Sequence, residues 1–168
     1  MLTVFGAQIR SRYPHLERKR GKPLEQWSVV RRGEGDSGDV ALDCLLVVNT
    51  PVTAKASHVK GPHVDMRKKL WTGLFYMRPE EDPTPGGDLE LFAPLGALRF
   101  DRHAVPRQQV RQAGLVGYAP NRFIGFVNGT DALHAVTARP PTPWARRYVD
   151  FVIELPDPVF SVPQMING

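Results

Sequence analysis

His63, Val64 and Asp65 place an imidazole and a carboxylate two residues apart, and a second imidazole, His134, follows far downstream. Two histidines and one carboxylate are the ligand set that holds a ferrous ion on one face and leaves its other positions open to small molecules. In an extended segment side chains alternate, so His63 and Asp65 point to one side and Val64 to the other. His134 completes the set if the fold brings its strand alongside. Two arginines, Arg146 and Arg147, come next. A guanidinium among apolar neighbours needs an anion, and it binds a carboxylate through two parallel hydrogen bonds. Arg147 alternates with Val149, Phe151 and Ile153, which makes it the better anchor, with Arg146 as the fallback. By the same alternation Tyr76 shares a face with Leu70, Thr72 and Leu74, where its hydroxyl can donate at the end of an apolar wall.

The elements that must position these groups read as short strands. Sixteen prolines and fifteen glycines punctuate the chain, a density that favours strands and turns over long helices. Residues 1–20 are the exception: Leu2, Phe5, Ile9 and Leu16 recur at helical intervals, with Pro14 interrupting near the end. A polar glycine-rich turn covers 33–39. Strands are expected over 40–53, 69–78, 88–92, 122–127, 133–137 and 147–155, parted by turns at 61–62, 80–87 and 128–129 and by the proline-rich stretch 139–143. Residues 93–120, with Arg99, Arg102, Arg107 and Arg111, form a long irregular connection that is either functional or loosely ordered. The pattern argues for an antiparallel sandwich or barrel over 40–156, preceded by a helix and basic, glycine-rich lead-in over 1–39 and followed by an irregular tail over 157–168.

At 168 residues one domain can bury roughly 70% of its unfolded surface. Cys44, the only cysteine, sits in an apolar run and is expected to be a buried, inert thiol; one cysteine makes no internal disulfide, which suits a reducing cytoplasm. No stretch approaches ~18 apolar residues, so no membrane span is expected, and the first residues do not pattern as a signal peptide. The net charge is +5, with Arg10, Arg12, Arg18, Lys19, Arg20 and Lys22 close together. That cluster raises a nucleic-acid partner, but no zinc-finger, helix-turn-helix or RNA-binding pattern accompanies it, so a solvated face is the plainer reading. Lys60, Arg99, Arg102 and Arg107 around the expected pocket mildly favour an anionic substrate.

Taken in order, His63-Val64-Asp65, Gly73-Leu74-Phe75-Tyr76, Gly86 to Phe92, Leu133-His134-Ala135-Val136 and Arg147-Tyr148 resemble the 2-oxoglutarate/Fe(II)-dependent dioxygenases, in particular their prolyl-hydroxylase-like branch. The resemblance covers about residues 40–155. It implies a double-stranded β-helix of the jelly-roll or cupin-like kind, with two four-stranded antiparallel sheets face to face. It also implies Fe(II) held by His63, Asp65 and His134, and 2-oxoglutarate bound through its distal carboxylate by Arg147 with help from Tyr76. With dioxygen as co-substrate, 2-oxoglutarate becomes succinate while a C–H bond of the substrate is hydroxylated. Two departures stand out: only residues 1–39 precede the first strand, where the family carries helices behind the larger sheet, and 93–120 has no counterpart in the motifs. A catalytically inactive cupin-like module binding a small or anionic ligand would share most of these features, but such modules usually lose a ligand. A zinc hydrolase would use the same three ligands with an activated water and would leave the Arg-Tyr element without a purpose.

Overall fold

The computed structural model describes residues 2–34, 37–57 and 60–163. The chain is mainly β, with two sheets and a short N-terminal helical part. Helix α1 spans Leu2–Arg12 and α2 Leu16–Arg20; the strands are β1 Val29–Arg31, β2 Val40–Asn49, β3 Lys69–Tyr76, β4 Leu89–Pro94, β5 Val110–Val116, β6 Arg122–Val127, β7 His134–Val136 and β8 Arg146–Glu154. The single helix expected over 1–20 is therefore two. Pro14 has no N–H to continue α1, and Gly21, left-handed at φ 70°, closes α2. Met1 and the Gly35-Asp36 tip of the glycine-rich turn lie outside the described residues, as do His58 and Val59.

The larger sheet has the order β1-β2-β8-β3-β6 and the smaller β5-β4-β7. Every pairing is antiparallel except β1 on β2, which is parallel. Five and three strands thus replace the expected four and four. His63 adds to the smaller sheet through an isolated antiparallel bridge to His134 in β7. From β2 onward the chain visits the sheets in a fixed sequence: larger (β2), smaller (His63), larger (β3), smaller (β4, β5), larger (β6), smaller (β7), larger (β8).

The irregular connection expected over 93–120 is ordered. Its end is strand β5, and its middle buries Phe100 and Val105 against Val64, Phe92, Val110, Leu133 and Ala135. Strand β5 escaped the pattern because Arg111, Gln112 and Ala113 are exposed in succession and Gly114 follows, so no apolar alternation develops. A register shift between Leu91 and Phe92 disturbs the partner strand as well.

Helix α1 packs on the outer face of the larger sheet, where Ile9, Tyr13, Leu16, Trp27, Trp71 and Ile153 form a core. Gly73 and Gly125 face each other across β3 and β6. A Cβ on either would collide with the Trp71 indole, so the two glycines make a flat slot for a fully buried tryptophan on which Phe5 packs at 5.0 Å. Beyond α1 this face is bare: Leu46 is 66% exposed and Phe123 49%. Cys44 lies on the same uncovered face and is exposed, which corrects the expectation of a buried thiol. The apolar run around it faces solvent at the end of β2 that the short helix does not reach. Lead-in and tail both join the body of the fold, through β1 and through Val159 N–H to Arg67 O (2.7 Å) and Phe100 N–H to Pro163 O (3.0 Å). Among the described residues no helix is long and apolar enough to cross a membrane.

Gly125→Ala is expected to destabilise the protein by about 1–3 kcal/mol, since its Cβ would overpack Trp71 and Phe5. Gly96→Ala, which meets nothing within 4 Å, should stay within about 0.5 kcal/mol of wild type. Urea denaturation of the two variants checks the contrast.

Candidate functional site

The structure brings His63, Asp65 and His134 together: one ligand atom from each lies within 4.8 Å of the others. The bridge that does this is reciprocal, with His63 N–H to His134 O and His134 N–H to His63 O both at 3.0 Å. The two rings sit 4.5 Å apart. Each histidine is oriented the same way. His63 Nδ1 lies 2.8 Å from Gly61 O and His134 Nδ1 2.9 Å from Ala132 O. A carbonyl only accepts, so both Nδ1 atoms carry a proton, and each Nε2 is left as the atom available to a metal.

Asp65 is held through one oxygen. Its Oδ2 accepts from Thr72 Oγ1 at 2.6 Å and lies 3.6 Å from Lys69 Nζ, while Oδ1 faces His134 Nε2 at 4.0 Å. Burial pushes this carboxyl up, but Lys69, His134, the Thr72 hydrogen bond and His63 together hold it below the usual range. Burial, reinforced by His134, pushes His63 down to about 4. The site therefore offers two imidazoles and one carboxylate, a donor set that fits a divalent cation with open positions.

Lys69 and Asp150 were not anticipated. A bulge between Lys69 and Trp71 turns Lys69 onto the face of β3 that carries Thr72, Leu74 and Tyr76. There its ammonium lies between Asp65 and Asp150, 3.8 Å from Asp150 Oδ2. Burial raises the Asp150 carboxyl, only partly opposed by Lys69. No sequence pattern marks a bulge, so alternation along 69–78 gives no reason to place Lys69 beside Asp65.

The two arginines sit opposite to the expected assignment. Arg147 is exposed on the outer face, whereas Arg146 is 5% exposed and points inward. Both faces of β8 carry apolar residues, so apolar neighbours did not mark the interior; Arg147's neighbours are the outer face. The Arg146 guanidinium lies over the rings of Tyr148 (4.6 Å), Tyr76 (5.1 Å) and Tyr118 (5.1 Å). Its Nε donates to Gly87 O at 2.9 Å, and Nη1 reaches Asn49 Oδ1 at 3.5 Å. Among the described residues no carboxylate pairs with it. Tyr76 is fully buried and its hydroxyl has no hydrogen-bond partner among the described residues. Burial pushes that hydroxyl up to about 12, against the pull of Arg146, so it stays a protonated donor.

Arg146 lines a cavity of about 360 Å³ with Asn49, Ser57, Val136, Thr137 and Arg139. Val136 is two residues from His134 in β7, but none of His63, Asp65 and His134 lines this cavity itself. Arg139 is also buried, but Asp82 neutralises it at 2.7 Å. Arg78 donates to the carbonyls of Asp82, Thr84 and Tyr118, which fixes the 78–84 turn. On its other side His134 borders an open groove of about 1300 Å³ that includes Phe5, Leu91, Ile124 and Phe126. Arg107, expected near the substrate, is instead engaged with Glu90 and the Phe92 ring.

Comparison with known proteins gives no match to a family model, to a curated protein or to a solved structure.

His63 supplies a pH test of the metal-free protein. Its value falls from an ordinary 6.5 to about 4 on folding, so between these limits the unfolded chain binds more protons and stability rises with pH. With chelator present, the melting temperature should fall as pH drops from about 6.5 to about 4. In His63→Gln that part of the slope should be lost.

Proposed function

We propose that the chain is an Fe(II)- and 2-oxoglutarate-dependent dioxygenase built on a double-stranded β-helix, hydroxylating a C–H bond of its substrate. What carries the reading is a pair of unmet demands at the two ends of one interior. At one end, two imidazoles and a carboxylate converge within 4.8 Å. At the other, a buried guanidinium without a carboxylate partner lies over the ring of a tyrosine whose buried hydroxyl has no acceptor. A buried charge that lacks a counter-ion is costly, and a dicarboxylate bound between the two ends would answer both demands. The strand sequence, alternating between two sheets from β2 to β8, supports the architecture.

In this reading His63 and His134 give Nε2 to the metal, and Asp65 gives Oδ1 because its Oδ2 is already engaged. Arg146, in place of Arg147, receives the distal carboxylate of 2-oxoglutarate, with Tyr76 donating beside it. Ferrous iron bound there, with dioxygen, supplies the oxidative decarboxylation of 2-oxoglutarate to succinate that is coupled to hydroxylation. The half-buried Phe126 ring lies 5.2 Å from the His134 ring beside the site. The open groove beside His134 is the place for a substrate.

The test is anaerobic addition of Fe(II) and 2-oxoglutarate, read as a visible charge-transfer band. The band is expected in wild type and in Arg147→Ala, and is expected to be absent in His134→Ala. Arg146→Ala should weaken 2-oxoglutarate binding by roughly 100-fold or more, and Tyr76→Phe by about tenfold. Well-folded wild-type protein that gives no band would overturn the oxygenase reading and leave an anion-binding module in its place.

A further inference from the structure

The turn at Asn128-Gly129, which the sequence marks only as a turn between strands, contains a buried amide aimed at the candidate metal site. Asn128 is fully buried, and its Nδ2 donates to Thr72 Oγ1 at 2.9 Å. The direction follows from the neighbours. Asp65 as a carboxylate can only accept, so the Thr72 hydroxyl must spend its proton on Asp65 Oδ2. The Thr72 oxygen then has lone pairs to offer, and the amide must turn its NH2 toward it. Asn128 is pinned at two further points. Its N–H donates to Leu70 O at 3.0 Å, and its backbone oxygen accepts from Tyr13 Oη at 2.6 Å. Tyr13 directly follows α1, and the adjacent Arg12 pairs with Asp131 in the same turn. The end of the N-terminal helix thus grips the turn that carries the amide.

Resting on the metal reading above, we propose that Asn128 is a positioning residue for the metal centre, and that the hydrogen-bonded series Tyr13, Asn128, Thr72, Asp65 makes α1 part of that centre's support. The series keeps Asp65 Oδ2 occupied, so that Asp65 offers a single oxygen to the metal and leaves another position open. Without the amide, the Thr72 hydroxyl is free to rotate away, and Asp65 can swing to bind through both oxygens or detach. Hydrogen-bond partners of metal ligands commonly change metal affinity by about 10–100-fold.

The experiment uses the whole protein and Co(II) alone, titrated with the visible spectrum as readout, because that spectrum responds to the number of bound oxygens. Asn128→Leu keeps the branched shape and removes the donor. It is expected to bind Co(II) about 10–100-fold more weakly with an altered spectrum, while near-UV circular dichroism of the metal-free form stays native. Thr72→Val should reproduce the change, Thr72→Ser should restore wild-type behaviour, and Tyr13→Phe should give a smaller loss of about 2–10-fold. Wild-type affinity and spectrum in folded Asn128→Leu overturn the proposal. Should that variant not fold, the Thr72 pair decides: equal binding by Thr72→Val and wild type overturns it equally well. Wild-type protein that binds no Co(II) overturns the metal reading, and this inference with it; binding by wild type and variants alike overturns only the inference.

Discussion

Two hydrogen bonds between the backbones of His63 and His134 hold the candidate site together. β7 is only three residues long and pairs with β4 along its other edge, while the His63 segment belongs to no strand and reaches the sheet through this bridge. The segment is gripped from its far side as well. His63 also bridges Ala104, Val64 N–H donates to His103 O at 2.9 Å, and Val105 N–H to Pro62 O at 2.9 Å. Residues 100–105, part of the stretch without a counterpart in the motifs, therefore act as the outer clamp on a ligand-bearing segment. The same local geometry recurs on both histidines, each ring tied to the carbonyl two residues before it. Two short segments with little regular structure can thus fix two imidazoles as firmly as long strands would.

The inward face of β8 gives the interior a direction. Along it Arg146, Tyr148 and Asp150 follow one another, a cation at one end and a carboxylate at the other. Lys69 answers the carboxylate end, between Asp65 and Asp150. Nothing among the described residues answers the cation end except aromatic faces and neutral oxygens. A guanidinium over three rings keeps its charge but loses most of its water, so the electrostatic asymmetry persists in the folded protein. On the proposed reading, an elongated anion entering this space would turn a carboxylate toward Arg146.

Much of this was legible before any coordinates. The metal-ligand types announce themselves, because His63 and Asp65 sit two apart and few other histidines have any spacing logic. The strands from β2 onward follow turn residues that have few alternatives, as at Pro51 and at Gly86-Gly87, whose φ values are 81° and 82°. Two misplacements share one cause: two-residue alternation says which residues share a face but not which face is inside. In β8 both faces are apolar enough to be interior, so alternation favours Arg147 although Arg146 points inward. In β2 the outer face is apolar but half uncovered, so Cys44 reads as buried although it is exposed. β5 is hidden for a different reason, because it has no apolar alternation at all. Thr72 and Asn128 carry no pattern, since a single hydroxyl or amide becomes informative only when its partner is known.

The bulge at the start of β3 shows how fold and site constrain each other. Lys69 and Trp71 are two residues apart, so in an unbroken strand they would share a face, and that face lies under α1. The lysine would then point into the apolar core around Ile9 and Tyr13, a charge burial costing several kcal/mol. One extra residue, Leu70, resolves the conflict. Trp71 keeps its slot over Gly73 and Gly125, while Lys69 turns to the opposite side and meets Asp65 and Asp150. Bulges concentrate where a strand must re-aim a side chain, and here the re-aimed group is the only ammonium paired with the candidate metal ligand among the described residues. Removing the bulge would therefore damage the core and the site together, so the irregularity belongs to the design of both.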